Sequence, residues 1–253
     1  MIVESNSILC GTWTLEKRAS HLGAKFMSSE GLEYTSCAHD GYRRFINSPV
    51  FRRSILHIHP KIFIILDSIT SRSQKKYFHK MLMPFHFYPG TEVEYDTHII
   101  RARRNNAAIE CFIKDSGNNW RINLYNGNHK PYRGWFAEDY GKCVPAHAID
   151  YESIIPLPFS LALVFNCYDI KENQQHLRVN WIDEENKGFQ HIALQIEIGR
   201  ESFSIVSLPK GADLIPSRFL LSPHAEFAVL KYSGNNLEKV WIILEEYIKI
   251  FCI

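Results

Sequence analysis

A segment near the start of the chain, residues 39–44 with the sequence HDGYRR, carries side chains that can transfer protons and bind anions. Imidazole and phenol groups act as general bases and acids, and a guanidinium group binds a carboxylate or a sulfate through two parallel hydrogen bonds. A segment with both kinds of group could bind an anionic ligand and exchange protons with it. We therefore predict that His39, Tyr42 and Arg43 contact an acidic ligand.

The same segment also suits a purely structural turn. In that case Asp40 accepts hydrogen bonds from backbone amides, Gly41 adopts a positive φ and Tyr42 packs at a sheet edge. Both interpretations stay open at this stage, because a turn shaped for folding can also serve recognition.

A second pair of cations follows at Arg52 and Arg53, inside the strand-like run FRRSILHI. Successive side chains of a strand point to opposite faces, so at most one of the two can face a given ligand. We assign Arg53 to the ligand-binding set. The alternative is a solvated strand face on which both arginines lie against apolar neighbours.

Aromatic residues gather in the later segment GWFAEDYGKCVPA, residues 134–146. Aromatic faces can stack on the apolar faces of sugar rings, so Trp135 and Tyr140 are predicted to bind carbohydrate. The alternative for Trp135 is a core position that anchors a long loop.

Two histidines, His57 and His59, are spaced to share one face of a strand, and this spacing permits a joint metal site. No carboxylate or cysteine lies beside them in the sequence. We therefore interpret them as incidental surface histidines and predict no metal site and no cofactor in this chain.

The elements that must position these residues are short apolar runs separated by turn sequences such as DSGNN, NGN and ENKG. The runs FRRSILHI and KIFIILDSI, separated by His59-Pro60, predict a β-hairpin. The segment YFHKMLMPFHFYPG predicts a strand buried on both faces, and the C-terminal KVWIILEEYIKIFCI fits either a strand or a helix. About a dozen such runs predict a single all-β domain over residues 1–253, a large antiparallel β-sandwich of the supersandwich kind.

Composition narrows the class of protein. The 29 Lys and Arg residues nearly balance 27 Asp and Glu residues, so neither nucleic acid nor membrane insertion is expected. Six cysteines lie far apart, and we expect free buried thiols. The N-terminus shows no signal peptide, which predicts a cytoplasmic protein if the chain is complete.

The order of the motifs resembles one known family. The succession HDGYRRFINSPVFRRSILHIHPKIFIILDSI, then FHKMLMPFHFYPG, then GWFAEDYGKCVPA is similar to the C-terminal β-sandwich domain of the heparinase II/III-like polysaccharide lyases. The likeness covers residues 30–160 and extends loosely to about residue 210.

This resemblance implies the β half of an enzyme that cleaves an acidic, uronate-containing polysaccharide by β-elimination. In the family a helical toroid supplies the residues closest to the chemistry, and some members carry a divalent metal in the early sandwich. No helical segment precedes His39 here, and the HxH…D stretch of the family is absent. We therefore expect a chain that is inactive alone, with a toroid domain or subunit as partner, and with a periplasmic or secreted location if it is a truncated member. The alternative is a non-catalytic carbohydrate-binding or scaffolding sandwich.

Overall fold

The computed structural model describes residues 18–71, 77–115, 119–171, 177–182, 193–207 and 225–253. The described residues form strands, turns and irregular segments, which confirms the all-β prediction. The strands are β1 His21–Ser29, β2 Leu32–His39, β3 Val50–Ile58, β4 Ile62–Thr70, β5 Phe78–His86, β6 Glu92–Tyr95, β7 Ile99–Arg104, β8 Ala107–Asp115, β9 Arg121–Asn126, β10 Asn128–His129, β11 Tyr132–Arg133, β12 Trp135–Asp139, β13 Lys142–Pro145, β14 His147–Pro156, β15 Phe159–Asp169, β16 Leu177–Trp181, β17 Ala193–Ile198, β18 Glu201–Ser207, β19 Phe227–Ser233, β20 Asn236–Ile243 and β21 Ile248–Cys252.

Three antiparallel sheets make up most of the fold. The central sheet has eight strands in the order β1-β2-β3-β4-β15-β8-β7-β6. The second sheet has six strands in sequence order, β16 to β21, and the third has three strands in the order β5-β14-β9. Two small hairpins, β10-β11 and β12-β13, lie in the chain between β9 and β14 and form two separate two-stranded sheets.

Two apolar layers hold these sheets together. On one face of the central sheet, side chains such as Leu56 and Ile64 pack against Leu194 and Ile205 of the six-stranded sheet. On its other face, Leu161 and its neighbours pack against the three-stranded sheet. The central sheet is therefore covered on both sides, by a different sheet on each, and the β-sandwich prediction is confirmed.

The local predictions for individual segments fared differently. The hairpin of residues 50–70 is confirmed, with Ile58 opposite Ile62 across the connection. The C-terminal segment forms β20 and β21 rather than a helix. The strand from YFHKMLMPFHFYPG is wrongly predicted as buried on both faces, because Phe78 and Lys80 on one face of β5 are exposed.

The predicted number of strands, about a dozen, is too low. The missed strands are mostly short, such as β10 to β13, and a strand of two to five residues carries too little alternation to be recognised in a sequence.

The expectation of buried free thiols holds only in part. The described cysteines are free, but Cys111 alone is buried, whereas Cys37, Cys143 and Cys252 are exposed. Cys10 lies outside the described residues. None of the described residues forms a helix with the length and apolar character that crossing a bilayer requires.

Candidate functional site

The candidate site begins on the face of β2 and β3 that points away from the six-stranded sheet. The pairing of the two strands places Cys37 opposite Arg53 and His39 opposite Phe51. The turn that follows β2 returns over the end of this face and brings Tyr42 to the same place, so side chains from three segments meet there.

Asp40 organises the turn. Its Oδ1 atom accepts a hydrogen bond from the Ser20 amide at 2.6 Å, and its Oδ2 atom lies 3.4 Å from Nη1 of Arg43. The Arg43 amide in turn donates to the Asp40 carbonyl oxygen at 2.9 Å. The structural interpretation of Asp40 is therefore correct, and the charge of Arg43 is partly balanced within the turn.

The expected positive φ at Gly41 is wrong. The positive φ angles of this region fall instead on Asn47 and Ser48. A side chain at position 41 would be crowded for a different reason, because a Cβ atom there would lie 3.0 Å from Cβ of Ala19 and 3.2 Å from Nδ1 of His39.

His39 is held in one tautomer by the same turn. The Gly41 amide donates a hydrogen bond to its Nδ1 atom at 3.2 Å, so the proton of the neutral ring is on Nε2, which can then donate to a ligand. Burial lowers the pKa of His39, and the nearby Asp40 only partly offsets this effect. At neutral pH, His39 is therefore an uncharged imidazole.

Aromatic rings surround His39. Its ring centroid lies 5.3 Å from that of Tyr42 and 5.3 Å from that of Phe51. The guanidinium of Arg53 also lies over the Phe51 ring, with Cζ 5.5 Å from the ring centroid. The structure thus brings His39, Tyr42 and Arg53 close together.

Arg53 is fixed by a carboxylate that the sequence did not point out. Its Nε and Nη2 atoms donate to Oδ1 and Oδ2 of Asp67 at 2.7 and 2.6 Å, and Asp67 is buried. This pair raises the pKa of Arg53. Asp67 stands on β4 directly opposite Arg53, so the strand register would have revealed it, whereas the sequence separation does not.

Arg44 and Arg52 take no part in this surface. Arg44 donates to the Gly41 carbonyl oxygen and covers the ring of Phe45 at 4.4 Å. Arg52 donates to Ser36 at 3.3 Å on the opposite face of the strands. The prediction that Arg52 and Arg53 face opposite sides is confirmed by these partners.

Trp135 lies on a different element, the hairpin β12-β13. Its ring stacks on that of Tyr132, with centroids 5.6 Å apart and planes inclined by 9°, and it lies 5.1 Å from His129. Its Nε1 atom donates to the Asn128 carbonyl oxygen at 2.9 Å. We call Tyr132, Trp135 and His129 the aromatic cluster.

Gly134 makes this arrangement possible. It has a φ of 73°, and a Cβ atom there would lie 2.8 Å from the Asn126 amide nitrogen and 2.9 Å from the Ala146 carbonyl oxygen. The Gly127 and Ala146 amides both donate to its carbonyl oxygen. The two small hairpins therefore separate at a point where only glycine fits.

Tyr140 is fully exposed at the turn between β12 and β13. Trp135 and Tyr140 thus project from the three-stranded sheet, whereas His39, Tyr42 and Arg53 belong to the central sheet and its turn. Tyr132 and His129 were missed by sequence reasoning, because pairing of two-residue strands leaves no recognisable pattern. The six predicted site residues form two groups rather than one.

Comparisons with known proteins support the fold. No protein-family model matches the sequence, and no curated protein gives a significant match. Solved structures do match. They include heparan sulfate lyase HepC from Pedobacter heparinus, at 14% identity and a TM-score of 0.53 over 75% of this chain. A mutant of HepC gives 13% identity and a TM-score of 0.55, also over 75% of this chain, and heparinase III gives 12% and 0.52 over 74%.

The matched portion of those lyases is small. The chain covers 28% of HepC and of its mutant, and 26% of heparinase III. At these identities the likeness concerns the fold, which is similar to one β-rich portion of heparinase-type lyases.

Proposed function

We propose that this chain is the β half of a polysaccharide lyase of the heparinase II/III kind, and that its substrate is an acidic, uronate-containing polysaccharide. The main support is that His39, Tyr42 and Arg53 lie close together on one face of the central sheet. The fold of the chain is similar to part of a heparan sulfate lyase. An acidic sugar chain needs cationic and hydrogen-bonding groups side by side, and this surface provides both.

Each group has a defined part in binding. Arg53 presents the remaining edge of a guanidinium whose position is set by Asp67, so a sugar carboxylate or sulfate meets a donor that is already oriented. His39 donates from Nε2, and Tyr42 offers a hydroxyl group beside it. Arg43 adds positive charge at the rim of the turn.

Cleavage itself requires more than this surface. β-Elimination needs a base at the carbon next to the carboxylate and an acid at the leaving oxygen. We assign no catalytic residue to this chain and expect the helical half of the enzyme to carry those groups. The isolated chain should therefore bind its polysaccharide and cleave it very slowly or not at all.

Two measurements test this proposal. Calorimetric titration of heparan sulfate, hyaluronan and alginate oligosaccharides should give binding that weakens about tenfold or more in Arg53→Met. Arg52→Met, which changes the neighbouring residue on the opposite face, is the matched control and should bind as the unaltered chain does. Equal binding by both variants, or none by the unaltered chain, would contradict the proposal.

The second measurement follows the ultraviolet absorbance of the unsaturated uronate product during incubation with the same glycans. The isolated chain should show no sustained rise. A sustained rise that is lost in His39→Gln would show instead that this chain carries catalytic groups of its own.

The second candidate function is a carbohydrate-binding module without catalysis. The aromatic cluster favours it, because Tyr132 is stacked on Trp135 and is itself exposed, so an aromatic ring face is open to stack on a sugar ring. In this case Trp135→Ala should abolish binding of uncharged oligosaccharides as well as acidic ones. Retained binding in Trp135→Ala, together with loss in Arg53→Met, would favour the lyase-type surface.

A further inference from the structure

Two histidines and one glutamate meet at the far end of β2 and β3 from the predicted glycan surface. Nδ1 of His57 lies 3.2 Å from Oε2 of Glu33, and Nε2 of His59 lies 3.6 Å from Oε1 of the same carboxylate. The two imidazole centroids are 4.1 Å apart. Within the described part of the chain, these three side chains place their metal-ligating atoms within 4.8 Å of one another.

The spacing suits a tetrahedral ion. With metal–ligand bonds of about 2.0–2.1 Å, neighbouring ligand atoms of a tetrahedral zinc site are about 3.3 Å apart. His57 Nδ1 and His59 Nε2 lie 3.2 and 3.6 Å from the two oxygens of the Glu33 carboxylate, and one ligand atom from each residue lies within 4.8 Å of the others, so a small movement of the side chains would bring them to this spacing. A hard ion such as Ca²⁺ or Mg²⁺ prefers six or more oxygen ligands, so the two nitrogen donors favour zinc.

The ligands are positioned by backbone pairing and packing. Glu33 stands directly opposite His57 in the register of β2 and β3. The His57 ring stacks on Phe63 of β4, with centroids 4.0 Å apart and planes inclined by 5°. The His59 amide donates to the Gly31 carbonyl oxygen at 3.1 Å, which ties the β3–β4 connection to the β1–β2 turn.

The accessible atoms of the cluster point to an external ligand. Nδ1 of His57 lies 3.2 Å from Glu33, whereas Nε2 of the same ring is buried without a hydrogen-bond partner among the described residues, so Nδ1 is the nitrogen available to an ion. The side chains of Glu33 and His59 are 37% and 42% exposed. An ion bound by the three would therefore keep one position open to solvent.

The donor types match a known kind of zinc site. Two imidazole nitrogens and one carboxylate oxygen form the His₂Glu donor set of a three-ligand zinc site.

From these observations we infer that Glu33, His57 and His59 form a zinc-binding site with a water molecule or another small ligand in the fourth position. The site connects the β1–β2 turn to the β3–β4 connection, so zinc should stabilise this end of the central sheet. The inference does not depend on the proposed function, because the site uses none of the residues assigned to glycan binding.

The test uses the full chain without an affinity tag, after removal of metal with a chelator. Calorimetric titration with Zn²⁺ should give one tight site per chain, and bound Zn²⁺ should raise the unfolding temperature. Glu33→Gln and His59→Ala should each weaken zinc binding about tenfold or more. Both residues are partly exposed, so the variants should fold, as circular dichroism can verify.

His98→Ala is the matched control, because His98 is an exposed histidine between β6 and β7. It should bind zinc as the unaltered chain does. Co²⁺ gives a second readout, since a tetrahedral site produces an intense visible absorption that His59→Ala should remove. The inference is overturned if zinc binds no site tightly, or if His59→Ala and His98→Ala bind it equally.

Discussion

The two faces of β2 and β3 are built from alternating residues of the same strands, yet they differ in burial and in the polarity of their side chains. One face presents Leu32, Tyr34 and Leu56, which are almost fully buried against the six-stranded sheet. The other presents His39 and Arg53, which are only partly covered. Because side chains alternate, one strand can build a core and a ligand surface at the same time.

The difference extends to the behaviour of titratable groups. On the apolar face, burial raises the pKa of Tyr34 to about 12, and its hydroxyl donates to Glu226 at 2.9 Å. On the polar face, burial lowers the pKa of His39 while solvent still reaches the ring. Tyr34 therefore keeps its proton well above neutral pH, whereas His39 is uncharged at neutral pH and takes up a proton only as the pH falls.

The largest effect should come from the apolar face. Leu56→Ala removes a fully buried side chain from the layer between the two large sheets, and we expect the free energy of unfolding to fall by about 2–5 kcal/mol. Ile55→Ala, one residue away on the partly exposed face, should cost clearly less. Urea denaturation measures both, and equal losses would mean that the two faces do not differ in their contribution to stability.

The sequence was sufficient for the all-β class, the hairpin of residues 50–70 and the opposite orientation of Arg52 and Arg53, because alternation and turn residues are local signals. It did not predict that Asp67 lies beside Arg53 or that Glu33 lies beside His57. Those partners stand on neighbouring strands, and their identity depends on a register that only the folded sheet fixes. Carboxylate partners on paired strands are therefore what sequence reasoning misses here.

The Arg53–Asp67 pair gives the next largest effect. Arg53→Met leaves the buried Asp67 carboxylate unpaired, and we expect a loss of about 2 kcal/mol in unfolding free energy. The loss should be smaller than for a fully buried pair, because the Arg53 side chain is 45% exposed. Arg52→Met, on the other face, should change stability much less.

A double variant sharpens this second prediction. Arg53→Met combined with Asp67→Leu removes both charges, so much of the stability lost in Arg53→Met should return. The measurement is again urea denaturation. If the double variant is less stable than the single one, the pair contributes through packing rather than through its charges.

On the polar face, His39 should make the stability of the chain depend on pH. His39 binds a proton less readily in the folded chain than in the unfolded one, since burial lowers its pKa below 6.5. The unfolded state therefore takes up the proton first as the pH falls, and the His39 contribution to stability, complete above about pH 6.5, is lost below it. On acidification the unaltered chain should lose stability relative to His39→Gln, and a difference that stays constant with pH would contradict this assignment.

The smallest effect on stability is expected at the tip of the β12-β13 hairpin. Tyr140→Ala alters a fully exposed side chain, so the unfolding transition should stay where it is. Trp135→Ala removes a ring stacked on Tyr132 and a hydrogen bond to Asn128, and some loss of stability should accompany it. Glycan binding that falls in Tyr140→Ala with an unchanged unfolding transition would show direct contact with the ligand, because no change in folding could then account for the lost affinity.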